Sequence, residues 1–192
     1  MPSKKFYLGI IAQISAGKDV TAAMVRELIA PKMVQIINYS DRIGEELIAR
    51  GLEKSQKNFQ EESRRLRDAF GQEYLGRAVS YRALHSRADL PILTGIRRAE
   101  DITPLRQLPG DLYLLFLTAP AEKRWQWQRA RAQRPGEAAK SFEQFMREDA
   151  DECEMHIRQV GQQLADGCID NCGTLDDLHH QVSLMLRDRL PF

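Results

Sequence analysis

The chain has 192 residues, a length that suits one α/β domain and allows a sizeable core without disulfide bonds. Its 28 lysines and arginines against 27 aspartates and glutamates give a formal net charge of +1. No overall basic field attracts nucleic acid, so a nucleic-acid partner is not expected and any anion must be bound by a local site. Three cysteines and an amino-terminal segment without a long apolar stretch predict a cytoplasmic protein with free thiols and no membrane span.

Five short apolar runs alternate along the chain with segments of helical periodicity. Strands are predicted at residues 6–14, 33–38, 90–93, 112–117 and 168–169. Helices are predicted at residues 18–29, 41–50, 61–84, 99–108, 121–131, 142–164 and 175–186. This alternation is typical of parallel strands joined by helical crossovers. We therefore expect a three-layer α/β fold with a five-stranded parallel sheet, in a single domain over residues 1–192.

The turn after the first predicted strand carries the clearest motif, Ala12-Gln-Ile-Ser-Ala-Gly-Lys-Asp19. Its Gly17-Lys18 ending matches a phosphate-binding pattern (Gly, four residues, Gly, Lys, then Ser or Thr) that connects a strand to a helix. Backbone N–H groups of such a turn form an anion site, and the lysine reaches the β and γ phosphates of ATP. The residues predicted to bind ATP are Gln13, Ser15, Ala16, Gly17, Lys18, Asp19 and Val20, with Lys18 also catalytic.

Two residues of this turn depart from the motif. Ala12 replaces the first glycine, and Asp19 replaces the hydroxyl residue that usually binds Mg²⁺. A carboxylate binds this cation directly or through water, so Asp19 is predicted as the metal ligand. The alternative is an ordinary strand–turn–helix in which Ser15 and Gly17 only shape the turn.

Polar residues that follow the second and third predicted strands are candidates for binding the phosphate acceptor. Asp41 lies near the sheet edge at which α/β proteins bind ligands, and it is predicted as a catalytic residue that orients the attacking group or accepts its proton. Aspartate also favours the N-cap of a helix, and the two roles are compatible. Guanidinium groups match phosphate oxygens, so the residues predicted to bind the acceptor together with Asp41 are Arg42, Arg64 and Arg97.

The stretch 131–141 contains Pro135, Gly136 and several small residues, which is typical of an exposed loop. Mobile arginines that close over a transferring phosphoryl group stabilise its spread negative charge, so Arg131 is predicted to be catalytic. The alternative is a basic helix face, interleaved with Trp125 and Trp127, that binds nucleic acid. The near-zero net charge disfavours that alternative.

The cysteines and histidines near the end of the sequence suggest zinc only superficially. Cys168 and Cys172 are followed by His179 and His180, but their spacing departs from the paired Cys-x₂-Cys pattern of zinc sites. Thiols without a metal are expected.

Motifs spread along nearly the whole chain give it a resemblance to a known family. The chain resembles the P-loop kinases that include dephospho-CoA kinase and the deoxynucleoside-monophosphate kinases of phages. Besides the Gly-Lys-Asp ending, the resemblance is carried by Tyr39-Ser-Asp41-Arg42, Ser63-Arg64 with Gly71, Thr94-Gly-Ile-Arg97-Arg98-Ala-Glu100, Arg124 with Arg131 and Arg134, Ser141-Phe142-Glu-Gln-Phe145 with Asp149, and Ile169-Asp-Asn171-Cys-Gly173.

The resemblance implies a helical substrate flap at about residues 41–88 and a short lid at about 131–141. It implies that Arg124 and Asn171 bind ATP, with Arg124 stacked on the adenine. Thr94 stands where the family has an acidic residue that handles Mg²⁺.

The expected function is transfer of the γ-phosphoryl group of ATP, with Mg²⁺, to a small nucleotide-like acceptor, foremost a (deoxy)nucleoside monophosphate. One alternative is a dephospho-CoA kinase-like activity on a ribose hydroxyl. Another is a nucleotide-binding regulatory protein without efficient transfer, which the unusual Ala12, Asp19 and Thr94 favour.

Overall fold

The structure is a computed structural model that describes residues 5–132 and 136–190. Three residues of the predicted lid, Gln133, Arg134 and Pro135, lie outside the described residues. Among the helices that the structure describes, none is both long and apolar enough to cross a membrane.

Five parallel strands form one sheet, as predicted. They are β1 (Phe6–Ala12), β2 (Val34–Asn38), β3 (Leu90–Ile96), β4 (Asp111–Thr118) and β5 (Gly167–Asp170), and their order across the sheet is β2-β3-β1-β4-β5. In the register of β2 with β3, Asn38 lies opposite Thr94, and β4 pairs with β5 so that Thr118 lies opposite Asp170. The α/β fold with a five-stranded parallel sheet is confirmed.

Nine helices lie within the described ranges. They are α1 (Lys18–Leu28), α2 (Tyr39–Ala49), α3 (Gln56–Phe70), α4 (Tyr74–Leu84), α5 (Ala99–Leu105), α6 (Ala121–Arg131), α7 (Phe142–Asp149), α8 (Glu152–Leu164) and α9 (Leu175–Arg189).

Two long predicted helices are each divided in two. The predicted helix 61–84 is interrupted by Gly71, whose φ of 92° and ψ of 157° are incompatible with a helix. The predicted helix 142–164 is interrupted at Asp151, whose backbone has a ψ of 146° and which immediately precedes α8. The helical periodicity of apolar residues continues across both interruptions, so it did not predict them.

The core is built on consecutive buried residues of the inner strands. In β1 the side chains of Tyr7, Leu8, Ile10 and Ile11 are all buried, and Leu90–Leu93 of β3 are buried as well. A strand buried at successive residues is covered on both faces, because its side chains alternate between them. Helices therefore cover both faces of these strands.

The chain divides into two compact units. The first contains the described residues up to 9 and residues 32–113, and therefore α2 to α5 with β2 and β3. The second contains residues 10–31 and the described residues from 114 onward, and therefore α1, α6 to α9 and β5. Strands β1 and β4 are each divided between the two units. The predicted flap belongs to the first unit, and the phosphate motif belongs to the second.

Substitution of Gly161 tests the packing of α8. A Cβ atom at this residue would overlap the ring of Phe116. Gly161→Ala is therefore expected to lower the free energy of unfolding by about 1–3 kcal/mol, measured by urea denaturation.

Gly44 is the matched control, because it is also a buried helical glycine but a Cβ atom there meets its nearest neighbour at 3.6 Å, an ordinary contact. Gly44→Ala is expected to be neutral or to stabilise by up to about 1 kcal/mol. Equal effects of the two substitutions would contradict the packing of Gly161 on Phe116.

Candidate phosphate-binding site

The turn between β1 and α1 has the backbone shape of an anion-binding loop. Ser15 has a φ of 59° and Gly17 a φ of 101°, both in the left-handed region, and α1 begins at the next residue, Lys18. Such a conformation turns successive backbone N–H groups toward one side, next to the positive end of the helix. The structure thus forms the strand-to-helix turn that the motif predicted.

Asn171 supports this turn from the end of β5. Its side-chain Nδ2 donates a hydrogen bond to the carbonyl of Ala16 at 3.1 Å, and its backbone N–H donates to Thr118 at 2.8 Å. The same Nδ2 would lie only 2.8 Å from a Cβ atom at Gly17. The residue at this position must therefore be glycine both for its φ and for the space that Asn171 occupies.

The hydroxyl of Ser15 is buried, and it has no hydrogen-bond partner among the residues that the structure describes. A buried hydroxyl without a partner is costly, and such groups are frequent at binding sites. A phosphate oxygen bound by the turn is a suitable acceptor for this hydroxyl, so the residues present fit the phosphates of ATP.

Lys18 and Asp19 form an ion pair at the first turn of α1. The side chain of Asp19 is 74% exposed, and that of Lys18 is 26% exposed. An exposed carboxylate beside a phosphate loop suits Mg²⁺, which is held in proteins by one or two carboxylates together with phosphate oxygens and water. Asp19 therefore fits the predicted role of a metal ligand.

The first two residues of the turn are fastened to α8 and β4. The side-chain amide of Gln13 is oriented so that its nitrogen faces Thr118 and its oxygen faces Arg158. It then donates to the hydroxyl of Thr118 and accepts a hydrogen bond from Arg158 Nε at 3.0 Å. The backbone N–H of Ile14 donates to the buried carboxylate of Glu154 at 3.0 Å. Side chains from distant segments thus hold the start of the turn.

Arg124 on α6 is 2% exposed, and all three nitrogens of its guanidinium donate hydrogen bonds. It forms a bidentate pair with Asp149, with Nη1–Oδ1 and Nη2–Oδ2 distances of 2.6 and 2.9 Å, and it also donates to the carbonyls of Ala119 and Ile14. The same guanidinium lies over the ring of Phe145, and the predicted stacking of Arg124 on adenine stays a prediction.

In the first unit, Asp41 acts as a helix-capping residue. Its carboxylate accepts a hydrogen bond from the backbone N–H of Asn38 at 3.1 Å, and the side chain of Asn38 accepts one from Ser40 N–H at 3.0 Å. This reciprocal arrangement is a capping box at the start of α2. The side chain is exposed, so the structural role leaves the predicted catalytic role untested.

The predicted acceptor arginines have different surroundings. Arg42 is half-buried, pairs with Glu46 and donates to the hydroxyl of Tyr74 at 2.9 Å, and this hydrogen bond raises the pKa of Arg42 above its usual value. Arg64 is exposed on α3. Arg97 is exposed directly after β3, and its backbone N–H donates to Asp101 at 3.1 Å.

Asp101 organises the turn that carries Arg97. Its carboxylate accepts the N–H groups of Arg97 and Arg98, both at 3.1 Å, and a hydrogen bond of 2.6 Å from the buried guanidinium of Arg67. The hydroxyl of Tyr39 donates to the Asp101 carbonyl at 2.8 Å. Burial, with the negative charge of Asp101, raises the pKa of Tyr39 well above its usual value, so this hydroxyl stays protonated as a donor.

Around the predicted lid, Arg131 ends α6, and its Nη2 lies 3.6 Å from the buried carboxylate of Glu137. The indole N–H of Trp125 donates to the carbonyl of Lys140 at 2.8 Å, and the Arg129 guanidinium lies over its ring. Trp125, which the nucleic-acid alternative placed on a basic helix face, therefore also holds Lys140, two residues before α7.

Within residues 5–132 and 136–190, no group of three or more histidine, cysteine, aspartate or glutamate side chains is arranged to hold a metal ion. The three cysteines are free and exposed.

Sequence reasoning missed the residues that hold two turns in place. Thr118, Glu154 and Arg158 hold the phosphate turn in the second unit, whereas Arg67 and Asp101 hold the turn that carries Arg97 in the first unit. Only Asp101 left a signal, because an acidic residue at the third position of α5 is typical of a helix start. The other four act through contacts between distant segments, which no local pattern reveals.

No family model matches the chain. A UPF0200 protein from Aeropyrum pernix is 26% identical over 167 residues, which cover 87% of this chain and 84% of that protein. A UPF0200/UPF0201 protein from Archaeoglobus fulgidus is 24% identical over 174 residues, 89% of this chain and 52% of that protein. The chain thus spans about half the length of the A. fulgidus relative.

Solved structures of kinases share the fold. The Mycobacterium tuberculosis APS kinase CysC, in complex with AMPPNP and APS, is 16% identical with a TM-score of 0.58, covering 97% of this chain and 99% of that chain. Shikimate kinase from Acinetobacter baumannii, in complex with shikimate, is 20% identical with a TM-score of 0.54. The match covers 97% of this chain and 95% of that chain. The predicted P-loop kinase-like fold is confirmed, whereas a specific likeness to dephospho-CoA kinase stays a prediction.

Removal of the Ser15 hydroxyl tests whether the turn is shaped for a ligand. In Ser15→Ala the unpartnered buried hydroxyl is gone, so the free protein is expected to gain about 1 kcal/mol in urea denaturation. The same variant is expected to bind ATP more weakly in calorimetry, because a phosphate oxygen loses a donor. Reduced stability together with unchanged ATP binding would indicate a purely structural serine.

Proposed function

We propose that this chain is an ATP-dependent phosphotransferase that acts on a small, phosphate-bearing acceptor. The observation that carries the proposal is the strand-to-helix turn with left-handed Ser15 and Gly17, a buried unpartnered hydroxyl at Ser15, and Lys18 at the helix start. The kinase fold of the neighbours supports it, and one of them was solved with AMPPNP.

Within this proposal, the turn and the start of α1 bind the phosphates of ATP through backbone N–H groups and the Ser15 hydroxyl. Lys18 stabilises the negative charge that develops on the transferring phosphoryl group. Asp19 holds Mg²⁺, which neutralises charge on the phosphate oxygens when bound. Val20 and Asn171 complete the nucleotide side, and Arg131 supplies positive charge from the end of α6.

The proposed acceptor is a (deoxy)nucleoside monophosphate, with dephospho-CoA as the second candidate. Exposed Arg64 and Arg97 of the first unit offer guanidinium groups to the acceptor phosphate, and Arg42 adds charge from α2. Asp41 is proposed to orient the attacking oxygen. A role in catalysis is compatible with its capping role, because a carboxylate has further lone pairs that the hydrogen bond from Asn38 leaves open.

A specific observation also favours a nucleotide-binding regulator without efficient transfer. Thr94 is buried, and its hydroxyl has no hydrogen-bond partner within residues 5–132 and 136–190. It supplies no negative charge at the position where the resembling kinases have an acidic residue. Under this second candidate, ATP binds but no acceptor is phosphorylated.

An acceptor screen distinguishes the two candidates. The full chain is incubated with ATP, Mg²⁺ and each nucleoside monophosphate, deoxynucleoside monophosphate or dephospho-CoA, and ADP release is measured. A kinase releases ADP in proportion to one phosphorylated acceptor, identified by mass spectrometry. ATP binding by calorimetry without any phosphorylated product would favour the regulator, and absence of ATP binding would refute both.

Replacement of Lys18 tests catalysis at the turn. Lys18→Ala is expected to lower the rate of transfer at least ~10²-fold, because the ammonium interacts more strongly with the transition state than with bound ATP. The free energy of unfolding should change little, since the side chain lies at the start of α1 and pairs with an exposed carboxylate. Lys57→Ala, an exposed lysine in the first unit, serves as the control and should retain the parent rate.

Replacement of Asp19 tests the metal site. Asp19→Ala is expected to shift the Mg²⁺ titration of transfer to higher concentration and to lower the maximal rate, whereas Asp19→Ser should retain part of the activity. Asp176 is the matched control, because it is also the exposed second residue of a helix, α9. If Asp19→Ala and Asp176→Ala gave the same titration as the parent, Asp19 would have no role in metal binding.

A further inference from the structure

A buried carboxylate in the second unit joins two arginines. Asp149, the last residue of α7, is 5% exposed and binds Arg124 through both oxygens. Its Oδ2 also accepts a hydrogen bond of 2.9 Å from Arg158 of α8, whose side chain is 39% exposed. One carboxylate thus connects helices α6, α7 and α8.

Both arginines continue from Asp149 to the phosphate turn. Arg124 Nη1 donates to the carbonyl of Ile14 at 3.3 Å. Arg158 Nε donates to the side-chain carbonyl of Gln13 at 3.0 Å. Because both contacts fall on the two residues immediately before Ser15, the position of the turn depends on the position of Asp149.

We propose that Asp149 and Arg158 are positioning residues of the ATP site: they act through Gln13 and Ile14 to hold the phosphate turn in its binding conformation. The inference rests on the proposed function, since it concerns the same turn. The inference also assigns Arg124 to this network, because Arg124 pairs with Asp149 and donates to the carbonyl of Ile14.

The physical reason lies in the left-handed backbone of Ser15 and in the cost of burying charge. A strained turn keeps its shape only where the surrounding structure over-determines it. Charge-assisted hydrogen bonds are shorter and stronger than neutral ones, so guanidinium groups oriented by one carboxylate are suited to this task. A turn that is already in position also binds phosphate without an ordering cost at the moment of binding.

The experiment measures the affinity of the full chain for ATP and for inorganic tripolyphosphate by calorimetry. Asp149→Asn keeps the shape of the side chain but removes its charge, and it is expected to weaken both ligands about 10-fold, by similar factors, because the turn binds their common phosphates. Arg158→Met leaves the Arg124–Asp149 pair intact and is expected to weaken both about 3-fold or more, with Arg158→Lys restoring part of the affinity.

Two control variants separate positioning from general stability. Asp101→Asn breaks a buried arginine–aspartate pair of similar geometry in the first unit, with Arg67 at 2.6 Å and both side chains at most 6% exposed. Its loss of stability in urea should resemble that of Asp149→Asn, but its ATP affinity should equal that of the parent. Arg147→Met removes an exposed arginine of α7 and should change neither property.

The outcomes divide clearly. Parent-like affinity for ATP and tripolyphosphate in both Asp149→Asn and Arg158→Met would overturn the inference while leaving the proposed function in place. Equal weakening by Asp101→Asn would also overturn it, because the effect would then follow from stability. A parent protein that binds neither ligand would refute the proposed function and this inference together. If Asp149→Asn fails to fold, Arg158→Met with its Lys variant decides.

Discussion

The left-handed turn between β1 and α1 is the constraint on which the candidate site depends. Gly17 has a φ of 101° and faces Asn171, so neither the backbone nor the available space tolerates a side chain there. The turn directs backbone N–H groups and the start of α1 toward one region, and the same shape leaves the Ser15 hydroxyl buried without a partner. If the turn binds phosphate as proposed, a phosphate oxygen would accept a hydrogen bond from this hydroxyl.

Each compact unit contains a buried arginine–aspartate pair. Each pair forms hydrogen bonds with the backbone of a turn that has a proposed binding role. Arg124 and Asp149 support the phosphate turn, whereas Arg67 and Asp101 support the turn that carries Arg97. Buried ion pairs contribute little net stability compared with apolar packing, but removal of one partner is strongly destabilising. Here the two pairs fix the positions of their turns, because a bidentate carboxylate–guanidinium pair sets both distance and orientation. The same residues therefore affect both the stability of the fold and the geometry of these two turns.

The sequence predicted the sheet and the phosphate turn well because both have local causes. Apolar runs such as residues 112–117 mark buried strands, and the Gly17-Lys18 pair marks a turn whose conformation other residues rarely adopt. The interruptions at Gly71 and Asp151 escaped prediction because apolar periodicity continues through them. The two buried pairs escaped because their partners lie 34 and 25 residues apart, and nothing in a lone arginine distinguishes a buried guanidinium from a solvated one. Arg124 illustrates this limit, because no local pattern revealed its pair with Asp149.

The Lys18–Asp19 ion pair connects the unusual motif to the proposed chemistry. In the free protein the exposed carboxylate neutralises the lysine, so the turn presents less net positive charge than a motif ending in serine or threonine. A carboxylate that serves as a metal ligand has to share its charge between the cation and Lys18, and a lysine released toward phosphate leaves that carboxylate to the cation. If Asp19 binds Mg²⁺ and Lys18 binds phosphate as proposed, the two side chains would exchange partners together, and phosphate binding would be coupled to metal binding. Under the proposed function, this coupling would be a physical reason for an aspartate at residue 19.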